Sequence, residues 1–274
     1  MSDTSAQGNA NQAYYDLLAE KYHLFYRDWE AQLAREGMRL KRWFRDREVK
    51  TVLDASCGPG TQAVALAQIG YWVLASDPSP KMIERARKHA EESGVSDRIT
   101  FLQAGFLDIA RMTNGNLDVI LTKGDAFPHL ITDTEIEETL AGFYRLLRPG
   151  GIVLIGMRDF EPYLQDRPRF LPGRVHDPED HGGQQTIVFE TWDWHEGPPL
   201  TVTLNKFILT QEGERYNVQV FPIQNRALTA AEVQVVMLEA GFEDIEISHD
   251  RAELVMIGTK PMAAPEIRTF VRRG

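Results

Sequence analysis

The sequence has a single cysteine, Cys57, among its 274 residues. An internal disulfide is therefore impossible, and a metal centre built on several thiolates is excluded. Long apolar runs are missing too, since none approaches the roughly 20 residues that a helix needs to cross a bilayer. The opening stretch MSDTSAQGNANQ lacks the basic and then apolar segments of a secretory signal. A cytoplasmic chain with no membrane partner is the expectation. Basic excess is absent as well: 30 Lys and Arg stand against 40 Asp and Glu, a net charge of −10. Readers of phosphate backbones carry the opposite sign, and no basic stripe with interleaved aromatics compensates, so nucleic acid is not expected as a partner. What is present is a hydrophobic content of 43%, enough for one large domain or one and a half ordinary ones with a sizeable core.

The most informative stretch runs from Val52 to Asp77. Thr51, Val52 and Leu53 are an apolar, partly β-branched run stopped by Asp54 and then by Ala55, Ser56, Cys57, Gly58, Pro59 and Gly60, a strand entering a tight turn. From Thr61 the spacing of Ala63, Leu66, Ala67 and Ile69 predicts a helix that ends at Gly70. Residues 71–75 make a second buried strand, which ends in Asp77. Gly58 to Ala63 is formally G-x-G-x-x-A, and Asp77 lies 19 residues beyond Gly58. Both facts also suit a dinucleotide-binding turn, so an NAD-dependent oxidoreductase stays open on this pattern alone. Asp54 separates the readings, because a carboxylate at the mouth of the turn repels a pyrophosphate but suits a ligand carrying positive charge.

D-A-S-C-G-P-G-T followed by A-S-D-P-S resembles the first two motifs of class I S-adenosylmethionine-dependent methyltransferases. The resemblance implies a Rossmann-like α/β fold: a seven-stranded sheet with helices on both faces and S-adenosyl-L-methionine as cofactor. It assigns Gly58 and Gly60 to the turn against the methionine part of the cofactor and Asp77 to the ribose hydroxyls, with Asp54, Ala55, Pro78, Met82 and Lys123 also on the cofactor. Gly105 stands where this family usually carries an acid for the adenine amine, followed by Phe106 over the ring; the adenine contact is left to a backbone carbonyl or to Asp108. R-P-G-G at 148–151 repeats the turn that precedes the fifth strand of these enzymes.

Before the turn, Tyr15, Leu18, Tyr22, Phe25, Tyr26, Trp29 and Leu33 recur at helical spacing over about 13–36, with a second helix expected over 37–46 and residues 1–12 read as a disordered tail. Y-D-L-L-A-E-K-Y-H-L-F-Y-R-D-W-E is similar to the N-terminal segment of glycine and sarcosine N-methyltransferases. The resemblance implies an aromatic hydroxyl near the sulfonium, given to Tyr26, with Tyr22 and Trp29 beside the cofactor; core packing is the alternative for each. Pro80 opens a helix through residue 94, Ile99 to Leu102 form the third strand, and Leu117 to Thr122 the fourth. The loop from Lys123 to Leu130 follows, where ligands of such sheets lie. It is similar to the N-x-x-x-H-L loop of small-molecule N-methyltransferases, which gives catalytic roles to Asp125 and His129, His129 as base or as a fixer of the loop.

Residues 158–226 change character. Three alternating runs, Thr186 to Trp194, Leu200 to Thr210 and Arg215 to Phe221, predict an antiparallel sheet inserted as a substrate lid between the two parts of the cofactor domain, 13–157 and 227–260, ahead of a tail over 261–274. M-R-D-F around Arg158 is similar to the R-D-Y of the same N-methyltransferases, which implies that Arg158 takes a substrate carboxylate; the alternative is an ion pair with Asp159 or Glu161. Tyr163, Arg169, Trp192 and Arg226 are further substrate candidates, Trp192 with core packing as the alternative, and Arg174 is a weaker one. His176 to His181 reads as a solvated loop, and no metal is expected. Together these implications point to methyl transfer to the amine of a small, carboxylate-bearing metabolite such as glycine or sarcosine. O- or C-methylation of a larger metabolite, and a non-catalytic cofactor-binding protein, are the alternatives.

Overall fold

The structure is a computed structural model that describes residues 3–25, 28–179, 183–250 and 253–262. Its main sheet has seven strands in the order β10-β11-β5-β4-β1-β2-β3. β1 is Thr51–Asp54, β2 Trp72–Asp77, β3 Ile99–Gln103, β4 Leu117–Thr122 and β5 Leu147–Arg158, and neighbours among these run parallel. β10, Glu243–Asp250, and β11, Glu253–Thr259, close the edge antiparallel.

The continuous apolar runs of the strands follow from burial on both faces. Val52, Val119, Leu121, Ile152 and Leu154 point into one core with helices α2 (Trp29–Trp43), α3 (Thr61–Gln68) and α4 (Pro80–Glu92). Leu53, Ile120, Val153 and Ile155 alternate into the other, covered by α5 (Phe106–Met112), α6 (Asp133–Leu146) and α7 (Ala230–Glu239). Capping boxes start α6 at Thr132 with Glu135 and α7 at Thr229 with Glu232, each satisfying backbone N–H groups that the first turn leaves open.

A second, four-stranded antiparallel sheet lies in sequence between β5 and α7: β6 Phe170–His176, β7 Thr186–His195, β8 Thr201–Glu212 and β9 Arg215–Arg226. Its inner face forms a third core around the fully buried Trp192, packed with Tyr14 and Leu18 of α1 (Asp3–Leu18).

Four local expectations change. Helix α1 begins at Asp3, so residues 3–12 of the polar opening stretch are helical. The aromatic stripe is broken after α1 by a 3-10 segment, Ala19–Phe25, and α2 restarts at Asp28, whose carboxylate caps the Ala31 N–H. Gly37 therefore sits inside α2, buried against α3. The short α5 and the strand β6 carry too few periodic positions to stand out in the sequence.

Asp118 joins the start of β1 to the turn before the body of β5. Its Oδ2 accepts the Lys50 and Thr51 N–H groups at 2.7 and 2.8 Å, and its Oδ1 accepts from the Arg148 guanidinium. Burial pushes its pKa up, but Arg148 and the two amides outweigh it and hold the carboxyl below its ordinary value. The stability Asp118 adds is thus present above the usual carboxylate pKa and lost as pH falls through the lower folded value. Asp118→Asn is expected to cost about 1–3 kcal/mol in urea unfolding at pH 7, with a smaller difference from the parent at acid pH. Equal stability of the two proteins at pH 7 would refute this role.

Candidate functional site

The chain reverses direction across the sheet between β1 and β4, and the ends of these strands open into a cavity of about 480 Å³, as expected at such a switch point. Ala55, Ser56 and Gly58 form one wall, Asp77 and Pro78 a second, and Gly105, Phe106 and Asp108 a third. Lys123, Gly124, Ala126 and His129 come from the loop after β4, and Tyr15 and Tyr22 from the N-terminal segment.

The turn is held by its own backbone and by one acid. Asp77 accepts the Gly58 N–H on one carboxylate oxygen and the Ser79 N–H on the other, each at 2.9 Å. Gly58 has φ +49°, and a Cβ there would meet nothing within 4 Å, so its backbone faces open space. Gly60, at φ +93°, instead presses on α4, where a Cβ would lie 3.1 Å from that of Ala86. Only the first of these two glycines lines the cavity.

Two buried carboxyls lack a full counter-charge. Burial pushes Asp77 up to about 6 against the opposing Ser79 and Gly58 amides, and Asp16 adds to the rise. Burial pushes Asp54 up to about 7, with the Ser56 amide opposing and Asp77 adding. Asp54 is 1% exposed and neither oxygen has a hydrogen bond of ordinary geometry. A buried acid without an ordinary hydrogen bond, as Asp54 is, is costly in a bare fold, and two raised carboxyls together fit a cationic ligand.

At the other end, the Tyr15 hydroxyl lies 2.7 Å from His129 Nε2, and His129 Nδ1 lies 3.4 Å from the Gln224 carbonyl. A carbonyl only accepts, so Nδ1 carries the proton and Nε2 takes that of Tyr15. Burial lowers the His129 pKa and raises that of Tyr15, which keeps both neutral. In the same loop Asp125 accepts the Arg158 backbone N–H at 2.6 Å and its Nε at 3.0 Å. Arg158 Nη1 also donates to Glu190 at 3.2 Å.

Several expected site residues stand elsewhere. Trp29 packs on His89, ring centroids 4.2 Å apart, and His89 Nδ1 bonds the Pro59 carbonyl at 2.8 Å, so Trp29 supports the turn from behind. Met82 is fully buried in the first turn of α4. The Lys123 ammonium is aimed at Glu253 and Glu36, so its place on the cavity wall does not bring a free cation to it. Arg226 clamps the starts of α6 and α7 through Asp133 at 2.6 Å and Glu232 at 3.2 Å. Arg169 pairs with Asp193 on the surface, Arg174 donates to the Phe25 carbonyl, and Tyr163 packs edge-on against the buried Trp192. Arg158 is ion-paired, but with Asp125 and Glu190 in place of Asp159 or Glu161. His176 is buried at the end of β6, while Asp177 and Glu179 are exposed; His181 and Tyr26 lie outside the described residues. The sequence marks Tyr15 only as part of the aromatic stripe, with no site role; its neighbour Asp16, which accepts from Ser79 Oγ at 2.6 Å, shows how α1 is pinned to the site.

Residues 52–151 match a family model described as a methyltransferase domain. The chain is 26% identical over 220 residues to a glycine/sarcosine N-methyltransferase of Parasynechococcus marenigrum, covering 80% of this chain and 72% of that protein. It is 31% identical over 138 residues to a glycine/sarcosine/dimethylglycine N-methyltransferase of Actinopolyspora halophila, covering 50% of this chain but only 24% of that protein. An S-adenosylmethionine-dependent methyltransferase from Clostridium acetobutylicum superposes with a TM-score of 0.67 over 90% of this chain and 99% of that one, at 14% identity, and has the same fold. With the matched domain, the seven-stranded order and the acid-flanked glycine turn all in one chain, residues 52–151 carry a methyltransferase domain and the chain is similar to S-adenosylmethionine-dependent methyltransferases.

Proposed function

We propose that the chain methylates the amine nitrogen of a small, carboxylate-bearing metabolite of the glycine or sarcosine kind. The observation that carries this reading is the placement of Arg158 at the end of β5, bonded to the same loop whose His129 lines the cavity. The printed activities of the two relatives point the same way.

S-adenosylmethionine supplies an electrophilic methyl group on a sulfonium, together with an ammonium and a ribose diol. The residues present fit it: Gly58 offers backbone without a side chain, Asp77 and Asp54 offer negative charge, and Gly105, Phe106 and Asp108 line the wall assigned to adenine. Asp77 is the residue for the ribose hydroxyls and Asp54 for the positive charge of the amino-acid end. Tyr15, fixed by His129, presents a phenol at the acceptor end of the same cavity.

An amine nucleophile needs its lone pair and its orientation more than it needs a strong base. Arg158 supplies orientation, since a guanidinium holds a carboxylate through parallel hydrogen bonds. The neutral pair of His129 and Tyr15 excludes charge from the place where the methyl moves. A hydroxyl acceptor is the second reading, and the observation that favours it is the unprotonated Nε2 of His129 behind Tyr15, a route for a hydroxyl proton.

Asp77→Asn is expected to weaken S-adenosylhomocysteine binding by calorimetry by roughly ten- to a hundredfold, through loss of charge-assisted hydrogen bonds; unchanged affinity would remove Asp77 from the site. A screen of amines, amino acids and hydroxyl compounds for S-adenosylhomocysteine release is expected to find turnover with glycine or sarcosine, at a rate that rises with pH as the amine loses its proton. Arg158→Ala should then raise the acceptor KM by at least about tenfold. Turnover confined to hydroxyl compounds, or an unchanged KM, would overturn the reading.

A further inference from the structure

Arg158 does not stand open. It is the second member of an alternating chain of charges, Asp125, Arg158, Glu190 and Lys206, each within hydrogen-bond distance of the next. Glu190 and Lys206 are a directly opposed pair on β7 and β8, so the pleat points both to the same face, beside the end of β5.

The two carboxylates on Arg158 are held differently. Asp125 has φ +68° and takes both the backbone N–H of Arg158 at 2.6 Å and its Nε at 3.0 Å. Removing it undoes two bonds that also fix the loop. Glu190 makes one contact to Arg158, at 3.2 Å, and has two other donors: Lys206 Nζ at 2.9 Å and Trp192 Nε1 at 3.1 Å. Glu190 can therefore leave Arg158 and keep two of its three partners. The side chains of Arg158 and Glu190 are 22% and 13% exposed, so the contact is within reach of a small solute.

We propose that Glu190 is a specificity-determining internal carboxylate, resting on the Arg158 Nη1 that an acceptor carboxylate must take, with Lys206 setting how readily it gives way. This rests on the reading of Arg158 as the acceptor anchor. Binding of the acceptor is then an exchange of one carboxylate for another on the guanidinium. Amines with no carboxylate gain nothing from that exchange.

The two ends of the pair make opposite predictions. Glu190→Gln removes the competing charge but leaves an amide oxygen for Trp192, and should strengthen acceptor binding. Lys206→Met removes the alternative cation, tightens the hold of Glu190 on Arg158, and should weaken it. The measurement is calorimetric titration of sarcosine, acetate and ethylamine into the full-length protein saturated with S-adenosylhomocysteine. The expected result is a Kd for sarcosine and acetate about tenfold lower in Glu190→Gln and about tenfold higher in Lys206→Met, with ethylamine and S-adenosylhomocysteine unmoved. Two variants that weaken sarcosine alike, as a merely structural role requires, or that leave it unchanged, overturn the proposal. If the parent binds no carboxylate but Glu190→Gln does, the exchange stands and the amino-acid acceptor falls. If neither binds one, both are wrong.

Discussion

A buried carboxylate ties the glycine turn to the second strand. Asp77 takes the Gly58 amide with one oxygen and the Ser79 amide with the other, and so sets both the turn after β1 and the start of α4. The turn, and Asp77 with Pro78, form adjoining walls of the cavity at the strand-order reversal. Asp54 lies behind the same turn, with neither oxygen in a hydrogen bond of ordinary geometry. A carboxyl whose pKa rises on folding costs stability at every pH above its ordinary value. The fold thus maintains two costly buried carboxyls at this end of the sheet, which the cofactor contacts proposed above would offset.

The rest of the molecule is arranged around that pair. α1 docks on α4 through Asp16 and Ser79 Oγ, and the residue before Asp16, Tyr15, reaches His129 in the loop after β4. That one helix therefore joins the acid end of the cavity to the His129 end. The second sheet takes its place through Gln224, which receives His129 Nδ1, and through Glu190, which receives Arg158. Its inner face needs α1 as well, because Tyr14 and Leu18 complete the core around Trp192.

What could be read from the sequence was what is local. The turn from Asp54 to Gly60, the acid at Asp77 and the runs of β1, β2, β4 and β5 each lie within a short window where period and glycine placement decide the structure. Asp108, named in the sequence as one alternative to the acid missing at Gly105, lines the same cavity as Gly105 and Phe106. The aromatic stripe shows the limit of such reading: periodicity marks Tyr15, Tyr22 and Trp29 as one face, but a break at Asp28 sends Trp29 behind the turn and leaves Tyr15 and Tyr22 in the cavity. Partners far apart in the chain were not legible. Arg158 meets Asp125 and Glu190, each more than thirty residues away, and Lys123 meets Glu36 and Glu253. Nothing in the local pattern of a basic residue says which acid will neutralise it once the sheet is assembled.

Burial raises the pKa of both Asp54 and Asp77, and the proposed contacts to a positively charged cofactor would lower them again. The most direct measurement is a carboxyl carbon NMR titration of the two residues, without ligand and saturated with S-adenosylmethionine. The expected values are about 7 for Asp54 and about 6 for Asp77 in the free protein, both falling when the cofactor binds. Ordinary carboxylate values in the free protein, or values that do not move on saturation, would contradict this.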